Sequence, residues 1–367
     1  MALPRLQTVI LGIFALFFAM HAYVAFFDGS VSESSYPRGP EVQVHVAFLA
    51  TSAKFALSAA QLMRNIRSLT DATVFFHVLT EISAAEMVDA LGTVGRSPRV
   101  RVHTVLGPEA AAKYRLPLLR YEAICNTTSL GARAYHNCKK MIVHVLHEIL
   151  PEDVERLLVM DTDMFVIADI AELWARFRQF TPSQLIGMSL EQQPTYLHCW
   201  EGTAFQQYNH EFGFPGFNSG LQLIDLKRMR QSKLYNEYLA DVSWVGAAKQ
   251  KLAAEAEGCT GGNNWDLGDQ DFLNIMCARN PELFHVLPCG WNKQYCNWWQ
   301  VMKKFHHAAY YCPEHASKIL HGNCLRHKKY VAQLLESTCG GARAERMLRD
   351  RGLALPPGVA GRCRRAV

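Results

Sequence analysis

The sequence of 367 residues lacks the patterns that mark several classes of protein. It contains no Cys-x-x-Cys pair, no zinc-finger spacing and no aromatic-basic motif for RNA recognition. It has no internal repeat and no long low-complexity segment, and charged residues make up an ordinary 19% of the chain, which argues against wholesale disorder. The net charge of +5 owes much to seven arginines between Arg343 and Arg365, so it does not indicate a nucleic-acid partner.

A long uncharged segment lies near the N-terminus. Residues 8–27 carry no formal charge and are long enough to cross the roughly 30 Å hydrocarbon layer of a membrane as a helix. Arg5 precedes the segment and Asp28 follows it, which favours a cytosolic N-terminus. We therefore expect a cytosolic tail (1–7), a transmembrane signal anchor (8–27) and a flexible stem (28–41). The chain would then be a single-pass type II protein; a cleaved signal peptide is the alternative.

The cysteines agree with a secretory location. There are eleven, and six of them lie in the last 80 residues. Because no Cys-x-x-Cys pair suggests zinc, we expect disulfides, which form when a chain is translocated into an oxidising compartment. The odd number leaves at least one thiol unpaired or paired between chains. These features predict a catalytic part in the lumen of the Golgi or the endoplasmic reticulum.

The body of the chain alternates strand and helix patterns, which predicts an α/β fold. We expect one catalytic domain over 42–340 and a basic tail over 341–367. The predicted strands are 42–49, 73–79, 99–105 and 156–160, and the predicted helices are 56–66 and 139–149.

The strongest single motif is Asp161-Thr162-Asp163, which follows the apolar run from Leu157 to Met160. Two carboxylates so close together beside a buried strand repel each other and lose hydration, so a compensating positive charge is required. Oxygen ligands suit Mg²⁺ or Mn²⁺ with a substrate diphosphate. A turn that happens to be acidic is the alternative.

Three later segments have polar groups beside apolar runs. Asn218 lies in Gly-Phe-Asn-Ser-Gly, where glycines let the backbone approach a ligand closely. Asp269 begins an Asp-Gln-Asp sequence before a helical run, which a helix N-terminus would also explain. His321 follows an apolar pair and is expected at a strand end.

Several basic side chains could bind a diphosphate near this motif. The sequence does not choose between Arg326, Lys328 and Lys329 after the histidine and Lys139 or Lys140 upstream.

In their order, Asp-Thr-Asp, Phe-Asn-Ser-Gly, Gly-Asp-Gln-Asp and Leu-His-Gly-Asn resemble the motifs of the retaining glycosyltransferases of family 8. This resemblance implies a GT-A fold with a Rossmann-like sheet that binds a nucleotide sugar. Within the family the chain is similar to the glucoside α-1,3-xylosyltransferases that extend O-glucose on EGF repeats. It is also similar to the xylosyltransferase domain of the matriglycan synthase.

The resemblance implies transfer of xylose from UDP-xylose to a glycan or glycoprotein acceptor, with α-1,3 linkage to O-linked glucose as the expected product. UDP-glucose or UDP-galactose as donor, or glucuronic acid as acceptor, are alternatives. A non-catalytic lumenal glycan-binding protein is a rival from another class.

The resemblance also implies roles for individual residues. Asp161, Asp163 and His321 would bind Mn²⁺ (or Mg²⁺) against the UDP diphosphate. Gln270 would face the anomeric carbon, with Asp269 beside it and Asp271 as the alternative catalytic carboxylate. The remaining expected donor-binding residues are Ala50, Thr51, Asn218, Ser219, Gly220, Gly322 and Asn323, together with Asp161.

Overall fold

A computed structural model of the chain describes residues 41–128, 138–193, 216–245, 247, 268–296, 312–323, 325–337 and 342–355. The predicted tail 1–7, anchor 8–27 and all but the last residue of the stem lie outside the described residues. Among the helices that are described, none combines the length and the apolar character needed to span a bilayer.

The described elements alternate between strands and helices over most of the chain. The strands are β1 (Gln43–Leu49), β2 (Thr73–Thr80), β3 (Val100–Thr104), β4 (Arg156–Met160), β5 (Met164–Val166), β6 (Ile186–Ser189), β7 (Leu221–Asp225), β8 (Phe284–Leu287), β9 (Lys293–Gln294) and β10 (Ile319–His321). The α-helices are α1 (Ala53–Leu69), α2 (Ala84–Leu91), α3 (Pro108–Lys113), α4 (Arg115–Thr128), α5 (Leu146–Ile149), α6 (Ile170–Trp174), α7 (Leu226–Gln231), α8 (Lys233–Ala240), α9 (Asp269–Arg279), α10 (Leu325–Ser337) and α11 (Ala342–Arg349). Short 3₁₀ helices cover Lys139–Val145, Ala175–Gln179, Pro281–Leu283, Cys289–Asn292 and Glu314–Ala316.

Seven strands form the central sheet, in the order β3-β2-β1-β4-β7-β6-β8. β1 pairs in parallel with both β2 and β4, and the helix α1 connects β1 to β2, in agreement with the alternating strand and helix patterns of the sequence. β7 runs antiparallel to both of its neighbours, β4 and β6. The start of β7 therefore lies beside the end of β4, where Met160 pairs with Leu221.

The sheet has a hydrophobic core on each face. Successive side chains of a strand point to opposite faces, and in β4 Leu157 and Val159 belong to one core, whereas Leu158 and Met160 belong to the other. A strand buried on both faces is continuously apolar, which is why the Leu157–Met160 run predicts a central strand.

A second, three-stranded sheet joins distant segments in the order β5-β10-β9. β10 pairs antiparallel with β5, and His321 lies opposite Met164. The Gly322 N–H donates to the Asp163 carbonyl at 2.9 Å. This sheet therefore holds His321 next to the residues that follow β4.

The segment 139–149 differs from the predicted helix. It forms a 3₁₀ helix over Lys139–Val145 and then the single α-turn of α5. The sequence Ile142-Val143-His144-Val145 is buried and rich in β-branched residues, and the β-branching lowers its preference for a regular α-helix.

The segment assigned to the basic tail contributes to the core. α11 contacts α10, and Ala344 and Leu348 of α11 are completely buried. The arginines of α11 lie on the other side of an amphipathic helix.

Disulfides are present, as expected. The described residues include the pairs Cys125–Cys138 and Cys289–Cys312. Cys277 is a buried free thiol.

Three histidines form a hydrogen-bonded row across β1, β2 and β3. His45 Nδ1 lies 3.0 Å from His77 Nε2, and His77 Nδ1 lies 3.0 Å from His103 Nε2. Burial, with smaller contributions from the neighbouring His103 and His45, lowers the pKa of His77 to about 2. Burial and Arg101 likewise lower the pKa of His103 to about 4. The row is therefore neutral in the folded protein.

We expect acid to destabilise the protein through this row. As pH falls below the ordinary pKa of 6.5, the unfolded chain takes up a proton at His77 but the folded protein does not. The stability present above that pKa is therefore lost on acidification, by about 2 kcal/mol for His77 between pH 7.5 and pH 5. Chemical denaturation at both pH values measures it. The pH-dependent loss should shrink in His77→Leu and persist in His315→Gln, which changes an exposed histidine; equal losses in all three proteins would contradict the expectation.

Candidate metal and donor-binding site

The Asp161-Thr162-Asp163 motif follows β4 at the carboxyl edge of the central sheet. The Asp161 N–H donates to the Gly220 carbonyl at 2.8 Å, which attaches the Phe-Asn-Ser-Gly segment to the acidic motif. Ligands of α/β sheets gather at this edge. Asp161, Asp163, Gly220 and His321, which the sequence predicts as site residues, thus lie together.

Asp161, Asp163 and His321 form a group that fits a divalent metal ion. One ligand atom from each of these residues lies within 4.8 Å of the others. His321 Nε2 lies 3.8 Å from Asp161 Oδ2 and 3.6 Å from Asp163 Oδ1. The other ring nitrogen, Nδ1, lies 2.9 Å from Asn292 Oδ1. Two carboxylate oxygens and an imidazole nitrogen suit Mn²⁺ and Mg²⁺, with coordination positions left for phosphate oxygens.

Two lysines compensate the carboxylates of the group. Lys140 Nζ lies 2.9 Å from Asp161 Oδ1, and Lys328 Nζ lies 3.2 Å from Asp163 Oδ2. Burial lowers the pKa of Lys140, but Asp161 and Asp269 outweigh burial and raise it, so the ammonium stays charged. Each aspartate therefore uses one oxygen for a lysine and turns the other toward His321.

The structure thus distinguishes among the basic residues that the sequence left open. Lys140 and Lys328 contact the acidic motif, whereas Lys139 pairs with Glu81 at 2.6 Å. Lys329 is exposed, and the side chain of Arg326 lies outside the described residues.

The Asp269-Gln270-Asp271 sequence forms the first turn of α9. Lys140 Nζ lies 3.6 Å from Asp269 Oδ2, and Gln222 Nε2 donates to the same oxygen at 3.2 Å. Burial raises the pKa of Asp269 to about 6, because Lys140 opposes the shift only in part and Asp161 adds to it. Asp271 has no exposed surface. The segment therefore begins a helix and also lies at the candidate site, so the two interpretations of its sequence are compatible.

A carboxamide pair lies beside Asp269. Gln270 Oε1 accepts a hydrogen bond from the Ser219 N–H at 3.2 Å, and Asn218 Oδ1 accepts one from the Gly220 N–H at 3.0 Å. The sequence analysis placed Asn218, Ser219, Gly220 and Gln270 in one site, and the structure brings these four residues together.

Glu191 is a residue of the site that sequence reasoning missed. It is 1% exposed, and its Oε2 accepts hydrogen bonds from Asn218 Nδ2 at 3.0 Å and from Gln270 Nε2 at 2.9 Å. The available signal was its position just after the buried strand β6, which resembles the position of Asp161 after β4. Asn292, which contacts His321, was also missed.

Ala50 and Thr51 follow β1 at the same edge of the sheet. β1 is the parallel neighbour of β4, and Phe48 lies opposite Met160. Ala50 is fully buried, and its N–H donates to the Leu79 carbonyl at 2.9 Å. The two residues are thus one strand away from the acidic motif.

Gly220 is required by the close approach of His321. A Cβ atom at this position would lie 2.3 Å from His321 Cε1, and real Cβ atoms do not come that near. Any larger residue would displace the imidazole.

These features define a class of enzyme: an α/β, GT-A-like glycosyltransferase with a mixed central sheet, which uses a nucleotide-sugar donor and a glycan acceptor. The sequence profile described as "Glycosyl transferase family 8" matches residues 46–321, and the chain belongs to that family. The family and the α/β fold expected from the sequence are therefore confirmed.

Similar proteins agree with this assignment. Xyloside xylosyltransferase 1 of Mus musculus is 32% identical over 300 residues, which cover 76% of this chain and 71% of the mouse protein. Xylosyl- and glucuronyltransferase LARGE1 of Danio rerio is 28% identical over 257 residues, which cover 68% of this chain and 29% of that protein. The crystal structure of the mouse xylosyltransferase in its apo form superposes with a TM-score of 0.59 at 30% identity, covering 77% of this chain and 98% of the other.

The variant Gly220→Ala should weaken metal binding. The added methyl group would push His321 away from the two aspartates, and we expect at least a tenfold loss of Mn²⁺ affinity in the presence of UDP. Isothermal titration calorimetry measures the affinity.

Gly187→Ala is the matched control for crowding. Its added Cβ would lie 2.8 Å from Phe180 Cζ, away from the aspartates, so thermal stability should fall while Mn²⁺ affinity stays at the wild-type value. Wild-type affinity in Gly220→Ala would contradict the assignment of His321 as a ligand.

Proposed function

We propose that this chain is a metal-dependent, retaining xylosyltransferase that transfers xylose from UDP-xylose to a xyloside acceptor. The observation on which the proposal chiefly rests is the group formed by Asp161, Asp163 and His321 at the carboxyl edge of the sheet. The relatives suggest the sugar, since the mouse and zebrafish proteins are both named as xylosyltransferases.

The acidic group would hold Mn²⁺ against the UDP diphosphate. When bound, such a cation offsets the negative charge that develops on the leaving nucleotide. Lys140 and Lys328 orient the two carboxylates, and each leaves one oxygen free for the cation.

Polar groups near His321 support a diphosphate site. Asn323 Nδ2 is buried and has no hydrogen-bond partner among the described residues, so it is available to a phosphate oxygen. The Gly322 N–H is already used by the Asp163 carbonyl, so Gly322 would contribute a close backbone approach rather than a donor. Ala50 and Thr51 would contact the nucleoside.

The sugar would lie over the carboxamides that follow. Asn218 and Asp269 would bind its hydroxyls, and Gln270 would face the anomeric carbon. A carboxamide is a poor nucleophile, which supports same-face attack by the acceptor through an oxocarbenium-like ion pair. Asp271 is the alternative carboxylate, but its complete burial supports a structural role.

The acceptor is proposed from the relative that aligns over most of its length. That protein is named a xyloside xylosyltransferase, which supports a terminal xylose as acceptor. The sequence resemblance to glucoside xylosyltransferases makes O-linked glucose the competing acceptor.

The cellular placement is proposed from the cysteines and the predicted anchor. The disulfides Cys125–Cys138 and Cys289–Cys312 fit an oxidising compartment such as the lumen of the Golgi or the endoplasmic reticulum. The anchor at 8–27 would fix the chain to that membrane.

A donor and acceptor panel tests the proposed specificity. The purified chain with Mn²⁺ should turn over UDP-xylose at least tenfold faster than UDP-glucose or UDP-galactose, and it should prefer a xyloside to a glucoside acceptor. Nuclear magnetic resonance of the product should give an α-linkage, because the reaction retains configuration. Preferential use of UDP-glucose would refute the donor assignment, and preference for the glucoside would refute the acceptor assignment alone.

Replacing one carboxylate tests the metal site. Asp163→Asn should lower transfer on the order of 100-fold or more and abolish metal-dependent UDP binding, because a neutral amide no longer compensates the cation. Asp89→Asn, which changes an exposed carboxylate of α2 that pairs with Arg96, is the control and should leave both unchanged. Full transfer by Asp163→Asn would rule out the proposed site.

A further inference from the structure

Glu191 is a buried carboxylate that the proposed reaction does not use directly. It lies just after β6 and is 1% exposed. Its hydrogen bonds come from N–H donors: Asn218 Nδ2 and Gln270 Nε2 on one oxygen, and the main chain and side chain of Gln193 on the other. A carboxylate only accepts hydrogen bonds, so Glu191 dictates which way its partners point.

Asn218 is fixed from two sides. Its amide nitrogen faces the Glu191 carboxylate at 3.0 Å, and its oxygen faces the Gly220 N–H at 3.0 Å. One neighbour only accepts and the other only donates. The carboxamide therefore has a single orientation.

The orientation passes from Asn218 to Asn292. Asn218 Oδ1 can only accept, so the Asn292 atom 2.8 Å away is the Nδ2 donor. Asn292 Oδ1 must then face His321 Nδ1 at 2.9 Å, and this ring nitrogen must donate its hydrogen.

His321 is consequently held in the form that binds a metal. With the hydrogen on Nδ1, the lone pair is on Nε2, the atom that faces Asp161 and Asp163 at 3.8 and 3.6 Å. Partners of the non-ligating nitrogen commonly set the tautomer and ring orientation of metal-bound histidines.

A second branch leads from Glu191 to the sugar side of the site. Gln270 Nε2 donates to Glu191 at 2.9 Å, while Gln270 Oε1 accepts from the Ser219 N–H. The same carboxylate thus fixes the carboxamide that is proposed to face the anomeric carbon.

We propose that Glu191 is a positioning residue that sets the metal-binding tautomer of His321 through Asn218 and Asn292 and orients Gln270 directly. The inference deepens the proposed function and rests on its metal site. It assigns to one buried carboxylate the coupling between the metal and sugar halves of the site.

The isosteric variant Glu191→Gln tests the relay. Its new NH₂ group must face either the Gln193 donors or the Asn218 and Gln270 donors, so a carboxamide has to turn over. If Asn218 turns, Asn292 follows and presents its NH₂ to His321 Nδ1, which moves the hydrogen to Nε2. We expect Mn²⁺ affinity in the presence of UDP to fall about tenfold, as measured by electron paramagnetic resonance of free Mn²⁺ in the full-length chain.

A second substitution should restore metal binding. In Asn292→Asp both side-chain oxygens accept, so His321 keeps its hydrogen on Nδ1 whichever way Asn218 points. The double variant Glu191→Gln/Asn292→Asp should therefore bind Mn²⁺ within about threefold of Asn292→Asp alone. Its kcat should stay low, because Gln270 is still misoriented. A purely structural defect at Glu191 would not be repaired two residues along the relay.

Ser189→Ala is the matched control for loss of a local hydrogen bond. Ser189 Oγ donates to the Pro288 carbonyl at 3.2 Å, and its side chain lies outside the relay. Its Mn²⁺ affinity should equal that of the wild type.

Two results would overturn the inference: wild-type Mn²⁺ affinity in Glu191→Gln, or no recovery in the double variant. If Glu191→Gln does not fold, Asn292→Leu replaces it; leucine should weaken Mn²⁺ binding about tenfold where aspartate does not, and equal affinities would refute the relay. Failure of the wild-type chain itself to bind Mn²⁺ with UDP would refute the proposed metal site instead.

Discussion

Compensation of negative charge at the carboxyl edge of the central sheet is the constraint on which the site depends. Asp161, Asp163 and Asp269 lie within reach of one another beside a buried strand, where unpaired carboxylates would be costly. Lys140 and Lys328 supply two ammonium groups. Each lysine lies against one oxygen of its aspartate, Lys140 on Asp161 and Lys328 on Asp163, and so orients that carboxylate.

The sheet topology explains how segments far apart in sequence meet at this edge. β4 ends at the acidic motif, and the next strand in the sheet, β7, runs the opposite way. The Asn-Ser-Gly segment therefore precedes its strand, whereas the acidic motif follows its own. β10 pairs antiparallel with β5 and brings His321 back to the acidic motif, and the absence of a side chain at Gly220 leaves room for the imidazole.

Sequence patterns predicted those parts of the site that depend on neighbouring residues in the chain. The apolar run before Asp161 predicts a strand buried on both faces, and the acidic pair after it predicts a cation site. The polar start of α9 is likewise visible in sequence. The order of these motifs predicted the family.

Whether Lys139 or Lys140 meets Asp161 could not be predicted, because the choice depends on a 3₁₀ helix where a regular α-helix was expected. Glu191 follows a buried strand, as Asp161 does, but its partner Asn218 lies 27 residues away, and Asn292 bonds to Asn218 across 74 residues. No local spacing therefore shows what these two side chains contact.

The negative charges of the site are compensated in two ways, by cations at the metal-binding aspartates and by N–H dipoles at Glu191. The difference matches what the metal and sugar halves of the site must do. Asp161, Asp163 and Asp269 carry three negative charges when ionised, against the two positive charges of Lys140 and Lys328, so one net negative charge remains. A divalent cation reverses this sign and makes the site attractive to a diphosphate, which favours joint binding of cation and nucleotide. Among the described residues, the hydrogen bonds to Glu191 come from N–H dipoles of the chain itself, which do not leave with a product. Its partners therefore stay oriented while the nucleotide and its cation come and go.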